Sequence, residues 1–205
     1  MVNTEDILNE ILERADIVKE SEIPNINLYM DQVTTLMEKY LADKKRFPDD
    51  KIMTKTMINN YVKNDLMPSP DKKFYNKDHI LMLIFIYYLK NILSIKDIKT
   101  LLTPISDNYY NGNSQIKIED IYNSVCDSEK ELLEDIKKDV SKKIEKSKQV
   151  FTEEKKSDKN FLQAFNLISM LSYDITIKKQ IIEMIVDDMN EENEKRQMHT
   201  KNKKK

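Results

Sequence analysis

Glycine occurs once in these 205 residues, at Gly112, and proline only five times. Tight hairpins and backbone that must closely approach a phosphate lean on glycine, which lacks a Cβ and adopts positive φ at little cost. Strand-rich folds are therefore disfavoured, and the glycine-rich loops of P-loop and Rossmann nucleotide-binding folds are effectively excluded. With 34% charged and 40% hydrophobic residues, the chain is expected to be all-α, with helices that carry broad solvated faces.

Reactive side chains are equally scarce. A single cysteine, Cys126, allows no internal disulfide and no thiolate zinc cluster, and His79 and His199 are the only imidazoles. No titratable groups cluster as an active site requires, so the chain is not expected to be an enzyme or to hold a cofactor or metal. Its N-terminus lacks the basic, apolar, small-residue order of a signal peptide, and Ile80 to Leu89, the longest apolar run, is far short of the roughly 20 residues that span a bilayer. A cytoplasmic protein without a membrane partner is the expectation.

Apolar spacing lays out the helices. Ile7, Leu8, Ile11, Leu12, Ala15 and Val18 form a first stripe capped by Asn3 or Thr4, and Pro24 closes that element or the loop after it. A second helix runs from about Leu28 or Asp31 to Leu41, with Tyr29, Val33, Leu36, Met37 and Tyr40 at helical spacing. The third, Thr54 to Lys63, should turn Met57, Ile58, Tyr61 and Val62 inward and Lys55, Thr56, Asn59, Asn60 and Lys63 outward. Pro68 and Pro70 fix their own φ and push Met67 and Ser69 into extended backbone, which predicts a short loop or a minimal hairpin.

Asn76 is a good N-cap for a fourth helix reaching about Asn91, and "ILMLIFIYYL" within it is apolar on almost every side, as a central buried helix must be. A fifth starts after Ser94, with Asp97 placed for a capping box, and is expected to stop at Pro104. Beyond Gly112, Ile118, Ile121, Val125, Leu132, Ile136, Val140, Ile144 and Phe151 have the spacing of one long helix or coiled-coil-like seam. After a break near 155–160, Phe161, Phe165, Ile168, Leu171, Ile177, Ile181, Ile185 and Met189 continue the pattern. The expected divisions are an N-terminal helix over 1–25, a helical domain over 26–105, a helical dimerisation or sensing region over 106–198, and a disordered basic tail over 199–205.

The overall charge of -2 conceals an asymmetry. From Lys44 to Lys99 there are twelve Lys or Arg against six Asp or Glu, a local excess of six, whereas Met1 to Asp43 holds three basic residues against ten acidic ones. A local basic face suffices to neutralise phosphates even on an acidic chain, because affinity for nucleic acid comes mainly from released counterions. A lysine-rich solvated helical surface accounts for the same count equally well.

The stretch "TKTMINNYVKNDLMPSPDKKFYNKDHILMLIFIYYLKNILSIKDIKTLL" resembles the DNA-binding domain of MerR-type regulators. In those proteins a Thr-Leu-Arg-Tyr-Tyr run and Gly-Leu-Leu-Pro stand where this chain has "MINNYVKNDLMPSP", and the wing lies where it has "KKFYNKDHI". Their arginine and first tyrosine fall on Asn59 and Asn60, and their turn glycine falls on Asp65. More closely, "NINLYMDQVTTLMEKYL" together with "TKTMINNYVKNDLMPSP" resembles a bacterial family catalogued as domain of unknown function 1836. The resemblance implies a MerR-like winged helix-turn-helix with a short wing, followed by a helical C-terminal region.

It also implies double-stranded DNA as the partner of Lys55, Thr56, Asn59, Asn60, Lys63, Lys72, Lys73 and Tyr75, and a transcriptional regulator acting as a homodimer. Asparagine side chains can pair with the N6 and N7 edge of adenine, and lysines suit phosphates or guanine. Asn59 and Asn60 equally suit capping or plain solvation. Tyr75 suits either a phosphate contact or packing of the wing on the fourth helix, and His79 reads as a surface or capping residue. A helical protein-protein interaction module that keeps the fold without binding DNA is the alternative. The sequence names no effector.

Overall fold

The computed structural model describes residues 3–110 and 114–202. Gly112 lies outside them, as do residues 203–205 of the basic tail expected over 199–205. Eight α-helices run through the described residues: α1 (Thr4–Glu13), α2 (Met30–Leu41), α3 (Lys55–Lys63), α4 (Lys77–Leu89), α5 (Ile95–Tyr109), α6 (Ile118–Asp127), α7 (Glu129–Lys148) and α8 (Lys156–Asn202). Among these residues β-pairing is limited to two isolated antiparallel bridges, Leu28 with Tyr75 and Asp71 with Phe74. The all-α class expected from glycine scarcity is what forms.

The chain divides into two compact units, one of residues 18–125 with 181–205, the other of residues 1–17 with 126–180. In the first, α4 is the axis. Ile80, Leu81, Met82, Leu83, Ile84 and Ile86 are all fully buried, so successive residues on every side of the helix meet other elements. Val33, Met37 and Leu41 of α2, Ile58 and Tyr61 of α3, Ile98 and Leu102 of α5, and Ile118 and Tyr122 of α6 complete the core. Each fully buried aliphatic side chain contributes about 1.5–3 kcal/mol, which is why α4 stays helical despite its β-branched isoleucines.

Local chemistry fixes where these helices start. Asn76 accepts the His79 N–H at 3.1 Å while His79 Nδ1 accepts the Asn76 N–H at 3.1 Å, and Ser94 and Asp97 make the equivalent reciprocal pair for α5. Lys77 ion-pairs with Glu20 and, at 3.3 Å, with Glu119, and the Tyr122 hydroxyl donates to the Val18 carbonyl. These links tie both ends of the 18–125 stretch to α4.

Two expectations fail in this unit. Pro104 does not end α5, which continues to Tyr109. A proline removes one N–H donor, and the turn after it is held by the Asn108 side-chain amide donating to the Pro104 carbonyl at 2.8 Å. Tyr29 is not an inward-facing helical residue either. It stands at the N-cap of α2, exposed, with its own N–H bonded to the Gln32 side chain at 2.8 Å.

In the other unit α1, α7 and the first half of α8 share a small core of Leu8, Ile144 and Leu167, flanked by Leu12, Val140, Met170 and Leu171. The long seam expected from Ile118 to Phe151 is therefore not one helix. It breaks between Asp127 and Glu129, and again after Lys148, where Phe151 adopts a left-handed φ of 56°. The Gln163 amide donates to the carbonyls of Lys148 and Val150, each at 2.8 Å, and so satisfies the end of α7 from α8. Val140 and Ile144 pack on Leu167 within one chain.

Candidate nucleic-acid interface

The outward face of α3 follows from its inward one. Ile58 and Tyr61 are buried, Met57 and Val62 are half-buried, and Lys55, Thr56, Asn59, Asn60 and Lys63 are all exposed, one face of a helix at i, i+1, i+4, i+5 and i+8. Thr54 caps the helix by accepting the Met57 N–H at 3.1 Å. Nine residues make a rod about 14 Å long, so every polar side chain on it lies within one patch.

The helix ends in a Schellman arrangement. The Leu66 N–H donates to the Tyr61 carbonyl at 2.9 Å and the Asp65 N–H to the Val62 carbonyl at 3.0 Å. That geometry needs a left-handed residue just past the helix, and Asp65 supplies it at φ 57°. Glycine usually fills this position, so the residue where the chain departs from the MerR-type pattern keeps the backbone shape that glycine provides. Its carboxylate meets Lys99 Nζ of α5 at 2.9 Å.

Leu66 and Met67 then enter the core, and Pro68 to Pro70 lead into a two-residue reversal at Lys72 and Lys73. The Phe74 N–H donates to the Asp71 carbonyl at 2.8 Å, and φ is 47° at Lys72 and 72° at Lys73. Two consecutive positive φ values characterise a type I′ hairpin turn, which prefers Asn-Gly. Both lysines are exposed at its tip. This is the minimal hairpin among the shapes that the proline corner permits.

Behind the tip the chain is firmly held. Tyr75 exchanges backbone bonds with Leu28 at 2.8 and 2.9 Å, and its ring meets His79 edge-on at 5.3 Å. Only 3% of Tyr75 is exposed and burial raises its hydroxyl pKa, which corrects its expected place among the contact residues: it packs the reversal onto α4. His79 is likewise a capping residue but not a surface one. It is buried, linked to the carbonyls of Ser69 and Pro68 at the corner, and 2.9 Å from the Tyr110 hydroxyl. Burial pushes its pKa down to about 4, so the imidazole is neutral and structural.

Seven of the eight expected residues therefore lie exposed on α3 or on the lysine tip. Sequence reading missed Tyr29, whose exposed ring meets Phe74 at a tilt of 38°, ring centres 4.5 Å apart. With Asp31, Gln32, Asn59, Pro70 and Lys73 it borders an open concavity of about 660 Å³. The sequence signalled only its place at the start of the α2 apolar stripe.

Charge counting also overstates the basic face. Lys45 pairs with Glu38, Lys77 with Glu20 and Glu119, and Lys90 donates to the Ile52 carbonyl at 2.9 Å with Nζ 4.9 Å from the Tyr87 ring centre. Lys55 pairs with Asp31 of α2, both exposed. Among the described residues no group of three or more His, Cys, Asp or Glu side chains is placed to hold a metal, and no helix is long and apolar enough to cross a membrane.

A family model described as a domain of unknown function, DUF1836, matches residues 18–125. The match coincides with the continuous stretch of the first compact unit. No curated protein and no solved structure matches the chain.

Proposed function

This chain belongs to the DUF1836 family, and from that premise we propose that it is a sequence-specific DNA-binding transcriptional regulator using a MerR-like winged helix-turn-helix, acting in the cytoplasm as a dimer. The observation that carries the reading is the pairing of one polar helix face with one basic turn. The α3 face offers Lys55, Thr56, Asn59, Asn60 and Lys63 with no apolar side chain among them, and its length suits a major groove about 12 Å wide. Asn59 or Asn60 reads adenine through its N6 and N7 edge, Lys55 and Lys63 take phosphate or guanine, and Lys72 and Lys73 act as the wing that grips flanking phosphate. A helix this short reads few base pairs, and a dimer doubles the site.

The backbone at the tip adds support. Lysine is a poor choice for two successive left-handed positions, and strain kept at an exposed charged site is a frequent mark of function. The test is a fluorescence-anisotropy titration against fragments upstream of the protein's own gene. Binding should fall steeply with salt, and Lys72→Ala/Lys73→Ala should weaken it on all sequences and reduce the log–log salt slope by about two per bound copy. Absence of salt-sensitive binding to any fragment refutes the regulator.

One observation favours a different reading, a helical interaction module that keeps the fold without binding DNA. Asp31, Asp65 and Asp71 are all exposed around the lysines, and Asp31 already engages Lys55. Under that reading the same titration is flat at every salt concentration.

A further inference from the structure

We propose that the outward face of α8 between Phe161 and Ile175 is the surface on which two copies of this chain associate, as an antiparallel helix pair about a two-fold axis. Phe161, Phe165, Ile168 and Ile175 are 68%, 59%, 60% and 66% exposed. At 100° per residue they fall, with Ser172, within about 80° of one another. Phe161 and Phe165 already stack, ring centres 6.2 Å apart. The opposite face of the same segment is occupied, since Leu167 is buried against Leu8 and Ile144 with Met170 and Leu171 beside it. This segment thus has one covered apolar face and one open apolar face.

The identity of the occupant follows from charge. In a chain that is 34% charged, the eighteen residues from Asn160 to Ile177 contain one charged side chain, Asp174, which is engaged with Lys143 and Lys178 at 3.1 Å each. Depletion of charge with enrichment of aromatics characterises the core of a protein interface, whereas a helix lying on a lipid surface has a basic polar face. Ser169 and Thr176 border the stripe here, and Ser172 lies within it. An uncharged face is complementary to itself, because two copies meet without burying an unpaired charge.

Register supplies the second argument. With Ile168 on the two-fold axis of an antiparallel pair, Phe161 of one copy lies level with Ile175 of the other, and Asp158 lies within one residue of Lys179, which shares the line of the stripe. Opposite charges then meet at both ends of the apolar stripe. A parallel in-register pair would set Asp158 beside Asp158 and lysine beside lysine. The four large side chains leave on the order of 500 Å² open on each copy. The small flanking residues bring that toward the roughly 800 Å² per partner of a stable interface.

This surface rests on the proposed regulator only for the use of the dimer, which is to present two α3 faces, and its test is independent of DNA. Sedimentation equilibrium of the full chain should give twice the chain mass. Phe165→Glu/Ile168→Glu should give a monomer with an unchanged far-UV circular dichroism spectrum. Ile181→Glu/Met184→Glu, also at exposed positions on α8, should remain dimeric. Asp158→Lys should weaken association at least tenfold, and Lys179→Asp added to it should restore association.

A wild-type chain that is monomeric at ~100 µM, or a Phe165→Glu/Ile168→Glu variant that still dimerises, overturns the proposal. So does a monomer that binds anionic vesicles through this face. Lys72→Ala/Lys73→Ala must stay dimeric, so failure of DNA binding and failure of association are read separately.

Discussion

Helix α3 and the first half of α8 each leave one face uncovered, and the chemistry of those faces is opposite. On α3 the open face is Lys55, Thr56, Asn59, Asn60 and Lys63, while on α8 it is Phe161, Phe165, Ile168 and Ile175. The first can stay in water indefinitely, since solvation satisfies every group on it. The second is unfavourable in water, and covering it would remove that cost. An open polar face therefore informs about function only through its neighbours, here the lysine turn, whereas an open apolar face informs by itself.

The widest gap between the two helices lies in what an isoleucine does. Ile58 is fully buried beneath α3, and Ile58→Ala should destabilise the protein by about 2–5 kcal/mol. Ile168 is 60% exposed, and Ile168→Ala should change the stability of dilute monomer by less than ~0.5 kcal/mol. Urea denaturation of both variants checks the contrast. Equal losses would mean that the α8 stripe is part of the fold and not an association surface.

A sharper version concerns what anchors the polar face. His79 holds the corner after α3 through Ser69, Pro68 and Asn76, and burial lowers its pKa from 6.5 to about 4. Between those values the unfolded chain binds a proton that the folded protein refuses, so stability falls as pH drops from about 6.5 toward about 4. The shift corresponds to a loss of about 3 kcal/mol. His79→Gln should remove this part of the pH dependence while leaving the part due to carboxylates, and urea midpoints across that range measure the difference. Parallel pH profiles for wild type and variant would show that His79 is not the anchor.

Much of this was legible in the sequence, for identifiable reasons. Ile58 and Tyr61 set the phase of α3, so its five outward residues follow from counting. Asn76 and Ser94 announce the starts of α4 and α5. What stayed hidden depends on partners distant in sequence. A charge count includes Lys45, Lys77 and Lys90 without knowing that Glu38, Glu20 and the Ile52 carbonyl engage them. Periodicity finds the stripes of α7 and α8 but cannot separate Ile144, which is covered, from Ile168, which is open. Tyr75 was ambiguous for the same reason, because its role depends on Leu28 and His79, not on the lysines beside it.

The smallest effects lie at the backbone positions that flank the polar face. Asp65, Lys72 and Lys73 all have positive φ without being glycine, and each is disfavoured there by roughly 1 kcal/mol. Asp65→Gly should raise stability by ~0.5–1 kcal/mol, since its ion pair with Lys99 is exposed and weak, and should leave DNA affinity unchanged. Lys72→Asn/Lys73→Gly installs the dipeptide that a type I′ turn prefers and should stabilise by a similar amount or more, yet weaken DNA binding with a shallower salt dependence. The two variants relieve the same kind of strain, so only the charge of the removed side chains distinguishes them. If both leave affinity intact, the lysine tip has no role in binding. If both weaken it, the Asp65 carboxylate, through its pair with Lys99, helps to place α3 for its target, and the site extends beyond the side chains exposed on it.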